Sequence, residues 1–211
     1  MAHGFCIIRD APHTPEATES LLSRIGPIRN THYGGFYDFT PDMKHADTAY
    51  TNLALAPHTD TTYFTEPAGL QAFHLLSHQP PSGSSQADGP LGGETILVDG
   101  FNVAENLSKE NKAHYQLLGS FDVPWHASGN ADAVIMPNMH YPVLEATKEG
   151  RLFRVRWNND DRGVLPRKEK TGRWYAAAGH WHDIVNRPAN QLRLQLEPGK
   201  ILSRKPAPVN G

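Results

Sequence analysis

One cysteine, Cys6, is all the chain has, so no internal disulfide can form and a reducing, intracellular compartment is expected, mitochondrial or cytoplasmic. No apolar run approaches the roughly 20 residues of a membrane helix, and the opening Met1-Ala2-His3-Gly4 is neither a signal peptide nor an Arg-rich transit peptide. Charge of one sign is also scarce: 20 Lys and Arg stand against 22 Asp and Glu, a formal net charge of -2. With no basic cluster to suit a phosphate backbone, a nucleic-acid partner is not expected, and neither is a membrane. Internal repeats are lacking as well, which excludes solenoids and propellers.

What is plentiful is glycine (18), proline (17) and histidine (12). Scattered Gly and Pro favour many short elements joined by turns over a helical bundle. Strands are expected at Gly4–Arg9, Ala49–Ala56, Leu70–Leu76 and Gly93–Asp99, at Gln191–Leu196, and again from Ile201–Leu202 after a Pro198-Gly199 turn. Met139–Ala146 and Leu152–Trp157, around Lys148-Glu149-Gly150, read as a β-hairpin. Thr14 and Pro15 open a helix carrying Ala17, Leu21, Leu22 and Ile25 that stops at Gly26-Pro27. Phe101–Leu118 reads as helical with a break near Ser108, and Trp174–Val185 as a helix closed by Pro188. Asn30–Asp47 is an aromatic loop and Gln79–Pro90 a Pro/Ser/Gly-rich one. Strands dominate, so the expected fold is mainly β with inserted helices, a sandwich or jelly roll.

His58-Thr59-Asp60 carries the chemistry. Side chains two apart on an extended backbone point the same way, so one imidazole nitrogen and one carboxylate oxygen can reach one metal. Joined by a second His they make a two-His-one-carboxylate triad, which leaves open positions on Fe(II). Taken alone, such a triplet in a His-rich chain is more often a polar strand end. His180 and His182, two apart in an expected helix, face different ways and are read as structural, as are His74, His126 and His140.

The surroundings of the triplet add weight. TAYTNLALAPHTDTTYFTEPAGLQAFHLL (residues 48–76), GGETILVDGF (92–101), RWNNDDR (156–162), GRWY (172–175) and PGKIL (198–202) run in one order. Together they resemble the γ-butyrobetaine hydroxylase and trimethyllysine dioxygenase branch of the Fe(II)/2-oxoglutarate oxygenases, with TDTTYFxEPxGxQxFH closer to the trimethyllysine side. The resemblance covers about residues 4–202 and implies an oxygenase catalytic domain over 1–202 with a non-family tail over 203–211. The fold it implies is a double-stranded β-helix of the clavaminate synthase/TauD kind. It implies iron ligation by His58 and Asp60, and help in holding 2-oxoglutarate from Thr95, which could equally be an ordinary strand residue. Tyr33, Tyr37 and Tyr50 match positions of an aromatic cage for a trimethylammonium group, which has no N–H to donate and is recognised by ring faces. Asn158, Asn159 and Arg162 could bind the substrate's amino-acid end, Arg162 by a bidentate carboxylate pairing, or be turn-capping residues and a surface Arg.

The implied reaction is hydroxylation of N6-trimethyllysine to 3-hydroxy-N6-trimethyllysine, in carnitine synthesis, with Fe(II), 2-oxoglutarate and O2, and ascorbate as a further cofactor. A γ-butyrobetaine substrate is the alternative, and a homodimer is compatible with the resemblance. The family's third ligand, a His in Leu-His-Gly, and the Arg for the distal carboxylate of 2-oxoglutarate have no counterpart in Ser203–Gly211 (SRKPAPVNG). A truncated chain that lacks its final core strands, with weak iron binding and little turnover, is therefore expected. A non-catalytic splice fragment is the alternative of a different class.

Overall fold

The computed structural model describes residues 4–39, 54–79, 92–127, 134–166 and 171–204. Among these residues are seven strands and four α-helices. The strands are β1 (Phe5–Ile8), β2 (Gln71–His74), β3 (Glu94–Val98), β4 (Leu144–Ala146), β5 (Leu152–Val155), β6 (Gln191–Gln195) and β7 (Ile201–Arg204). The helices are α1 (Pro15–Ile25), α2 (Gly100–Glu110), α3 (Lys112–Ser120) and α4 (Thr171–Val185). A 3-10 turn at Pro188–Asn190 precedes β6, and β3 and β6 pair as a two-stranded sheet.

The chain divides into two compact units. The first comprises residues 1–40, 70–96 and 193–205. Its sheet has the order β1-β7-β2, antiparallel throughout, with Ile7 and Phe73 both opposite Leu202. Ile201 and Leu202 of the central strand are buried, as apolar residues between two neighbours should be. Thr14 caps α1 as expected, its Oγ1 accepting from the Ala17 amide at 3.2 Å. One turn on, buried Thr18 spends its own proton on the Thr14 carbonyl (3.0 Å) and accepts from His74 Nδ1 at 2.6 Å. That bond ties α1 to β2, and it gives His74 the structural role expected of it.

The second unit comprises residues 41–69, 97–192 and 206–211. It holds the main apolar core, built where α2, α3 and α4 meet the β4/β5 hairpin. The helical period is plain in α4: Trp174, Ala177, Ala178, Trp181, Ile184 and Val185 are all buried on one stripe.

Several expected boundaries move. The helix break falls at Asn111, not near Ser108: Asn111 ends α2 and caps α3, its side chain accepting from the His114 amide at 3.1 Å. An Asn offers the next helix a side-chain acceptor that Ser108 would have to leave its own helix to provide. The hairpin's first strand is limited to Leu144–Ala146 because Tyr141 pairs with Val123 instead, through amide–carbonyl bonds of 3.1 and 3.3 Å. α4 begins at Thr171, ahead of Trp174, and β7 runs on through Ser203 and Arg204. Of the strand expected at Ala49–Ala56, residues 54–56 are irregular and the remainder lies outside the described residues.

Candidate metal site

Residues 56–68 of the second unit form a tight loop. The His58 ring donates from Nδ1 to the Ala56 carbonyl at 2.8 Å; a carbonyl can only accept, so the proton is on Nδ1. The other ring nitrogen, Nε2, lies within hydrogen-bond distance of Asp60 Oδ1, at 3.1 Å. Both side chains are partly exposed, at 25% and 30%. Two donor atoms each about 2.1 Å from one ion, at adjacent octahedral corners, stand about 3.0 Å apart. The pair therefore fits two neighbouring positions of one small divalent cation, and the Nδ1 hydrogen bond fixes the tautomer such a ligand needs. Among the described residues no group of three or more His, Cys, Asp or Glu side chains is arranged to hold a metal ion.

The backbone that presents the pair is held from two sides. Thr59 bonds Trp157, two residues beyond β5, three times: its amide donates to the Trp157 carbonyl at 2.7 Å, and its Oγ1 donates to that carbonyl at 3.3 Å and accepts from the Trp157 amide at 2.8 Å. Thr61 has φ +56°, a left-handed conformation that a β-branched residue adopts only under constraint. Its Oγ1 accepts from the Ala68 amide at 3.0 Å, and its carbonyl accepts from the Phe64 amide at 3.0 Å. Buried Thr62 donates to the carboxylate of Asp161, itself only 7% exposed. Burial lifts the Asp161 carboxyl to about 6; the Thr62 hydrogen bond opposes the shift, the nearby Asp60 charge adds to it, and His58 and His126 lower it.

Buried Arg156 donates from Nε to Glu145 at 3.0 Å and from Nη1 and Nη2 to the carbonyls of Thr62, Phe64 (2.7 Å) and Thr65 (3.4 Å). Glu145 also meets Arg154 at 3.2 Å, and Arg154 reaches Glu66 at 2.8 Å. None of Arg156, Glu145, Thr62 or Asp161 was singled out by sequence reasoning. The legible signal was Glu145, Arg154 and Arg156, three charges set between apolar residues on the hairpin's two arms.

The other expected site residues are placed as follows. Arg162 sits over the rings of Trp174 (5.7 Å) and Tyr175 (5.3 Å), with Nε on Asn159 Oδ1 at 3.2 Å and Nη1 on the Tyr175 hydroxyl at 3.3 Å. Asn158 turns inward on its own loop, its Oδ1 accepting from the Asp160 amide at 3.1 Å. In the first unit, Thr95 is a half-buried residue of β3, and the rings of Tyr33 and Tyr37 lie 5.8 Å apart, with Phe39 stacked on Tyr37. Tyr50 lies outside the described residues. His180 pairs with Glu110 at 2.9 Å and contacts His114, whereas His182 is exposed, so the two do point apart.

The model of the family "Taurine catabolism dioxygenase TauD, TfdA family" matches residues 1–203, and the chain belongs to that family. Its fold is shared with a putative alpha-ketoglutarate-dependent taurine dioxygenase from Burkholderia xenovorans, at a TM-score of 0.61 and 13% identity over 97% of this chain and 69% of that one. The jelly-roll class expected from the sequence is thereby met. Within the family, the chain is 53% identical to trimethyllysine dioxygenase of Neurospora crassa, over 94% of this chain and 48% of the relative. Human mitochondrial trimethyllysine dioxygenase is 37% identical, over 96% and 47%. Human gamma-butyrobetaine dioxygenase is more distant, 25% identical over 95% and 50%. The chain thus spans about half the length of the curated relatives it matches.

Proposed function

We propose that this chain carries the iron-binding part of a dioxygenase that uses 2-oxoglutarate and O2 to hydroxylate N6-trimethyllysine. The observation that carries the reading is the 3.1 Å approach of His58 Nε2 to Asp60 Oδ1, with the imidazole already committed at Nδ1. The 53% identity to an enzyme named for trimethyllysine favours that substrate over γ-butyrobetaine, whose dioxygenase is 25% identical.

When bound, Fe(II) with 2-oxoglutarate supplies the oxidation: O2 gives one oxygen to the substrate C–H and one to the oxoacid, which leaves as succinate and CO2. The protein's part is binding and aim. His58 and Asp60 contribute one neutral and one anionic donor, so the carboxylate offsets part of the metal's charge. Thr95 helps hold the oxoacid. Arg162 is oriented in advance by Asn159, Tyr175 and the Trp174 face, and its remaining N–H groups suit the carboxylate of an amino acid. Tyr33, Tyr37 and Tyr50 offer ring faces to a trimethylammonium group.

The test is Mn(II) binding followed by electron paramagnetic resonance, with the unaltered protein set against His58→Ala and Asp60→Ala. Each substitution is expected to weaken uptake by about 10-fold or more; unchanged uptake in both would remove the metal site. N6-trimethyllysine and γ-butyrobetaine, offered with ascorbate present, are then scored by mass spectrometry for a product one oxygen heavier. Preferential conversion of γ-butyrobetaine would reassign the substrate.

A further inference from the structure

Arg156 does more than complete an ion pair. Its side chain is fully buried, a costly position for a guanidinium unless its N–H groups are met. Of the Arg156 nitrogens, Nε is the one that donates to Glu145. The two terminal nitrogens go instead to the backbone carbonyls of Thr62, Phe64 and Thr65, while the ring of Tyr141 lies 4.5 Å beneath the guanidinium. Those three carbonyls follow directly on Asp60 and the left-handed Thr61. On the other side of Asp60, Thr59 is bonded three times to the backbone of Trp157, the residue next to Arg156. Consecutive residues just beyond β5 thus grip the chain immediately before and immediately after Asp60-Thr61. A left-handed β-branched residue persists only where its surroundings over-determine it, and these two grips are that constraint.

We infer that Arg156, anchored by Glu145, is the positioning residue that holds Asp60 in place against His58. The inference rests on reading His58 and Asp60 as metal donors. Arg156 itself touches neither. Its planar guanidinium serves four acceptors at once, Glu145 and the three carbonyls, one more than the three N–H groups of a lysine ammonium can meet.

The test uses Arg156→Lys, which keeps the charge beside Glu145, and the double variant Arg156→Met/Glu145→Gln, which leaves no uncompensated charge between those two positions. Hydrogen exchange by mass spectrometry is read in metal-free protein for peptides spanning 58–68 and for α2 to α4. Mn(II) affinity is read alongside, with His58→Ala as control. Both variants are expected to speed exchange in 58–68 about tenfold or more while α2 to α4 keep their rates, and to weaken Mn(II) binding about 10- to 100-fold, as loss of an outer support does. Unchanged exchange in 58–68 would overturn the inference. So would protection lost equally through α2 to α4, since Arg156 would then be a general stability residue. Mn(II) affinity unchanged in both variants, with uptake abolished by His58→Ala, would overturn the link to the metal alone. Uptake that survives His58→Ala, or no uptake by the unaltered protein, would overturn the donor reading, and the exchange rates would then decide whether Arg156 holds the loop.

Discussion

A carboxyl group buried near another carboxylate gives up its proton late, and Asp161 is in that position. Its folded value, raised to about 6 chiefly by burial, lies above the ordinary 3.8. The folded state therefore holds a proton that the unfolded chain has lost between about pH 4 and 6, and stability falls as pH rises through that window. A shift of about two units corresponds to roughly 3 kcal/mol. In metal-free protein, Asp161→Asn is expected to flatten this slope and to be the more stable form above pH 7, with Asn Oδ1 still accepting from Thr62; urea unfolding at pH 4, 5, 6 and 7.5 measures it. Equal slopes in the two proteins would show that Asp161 ionises normally. Glu110 works in the opposite sense. Its hydrogen bonds to Arg187 and His180 hold it down at about 2, so its contribution is present above the ordinary 4.5 and is lost as pH falls from there through about 2, overlapping only the acid end of the Asp161 window. At this scale the His58–Asp60 pair was legible and its supports were not. The i, i+2 spacing of His58 and Asp60 is local, whereas the Asp161–Thr62 and Arg156–Thr62 contacts join residues far apart in sequence.

Among the elements, Asn111 shows how one side chain decides a boundary. The amphipathic pattern of Phe101–Leu118 continues across it, so periodicity alone could not locate the break. The Asn111 carboxamide supplies the acceptor that α3 needs at its first turn, and the Asn111 amide still bonds Leu107 at the end of α2. Asn111→Ala is expected to cost about 1 kcal/mol through loss of the cap, measured as a lowered urea midpoint with an unchanged slope. Wild-type stability in this variant would mean the break is set by packing of α3 on α4 rather than by the cap. The hairpin gives a similar lesson. Its turn and second strand follow from sequence, but the first strand is shorter than its alternation suggests, because Val123, 18 residues earlier, claims Tyr141.

At the scale of the whole molecule, β7 joins segments that are remote in the chain, pairing with β1 near the start and with β2 at residues 71–74. Ile201 in that central strand is 0% exposed. Ile201→Ala is expected to cost about 2–5 kcal/mol, read by chemical unfolding; a loss well under 1 kcal/mol would mean the first unit tolerates a gap at the centre of its sheet. The sequence alone settled the features that depend on short-range rules: the cap and start of α1, the turn before β7, the family, and the two-residue spacing of His58 and Asp60. Tertiary structure decided what holds that pair. Whether a buried charge such as Arg156 meets a carboxylate, a ring or three carbonyls depends on which distant loop folds over it, and local pattern carries no record of that.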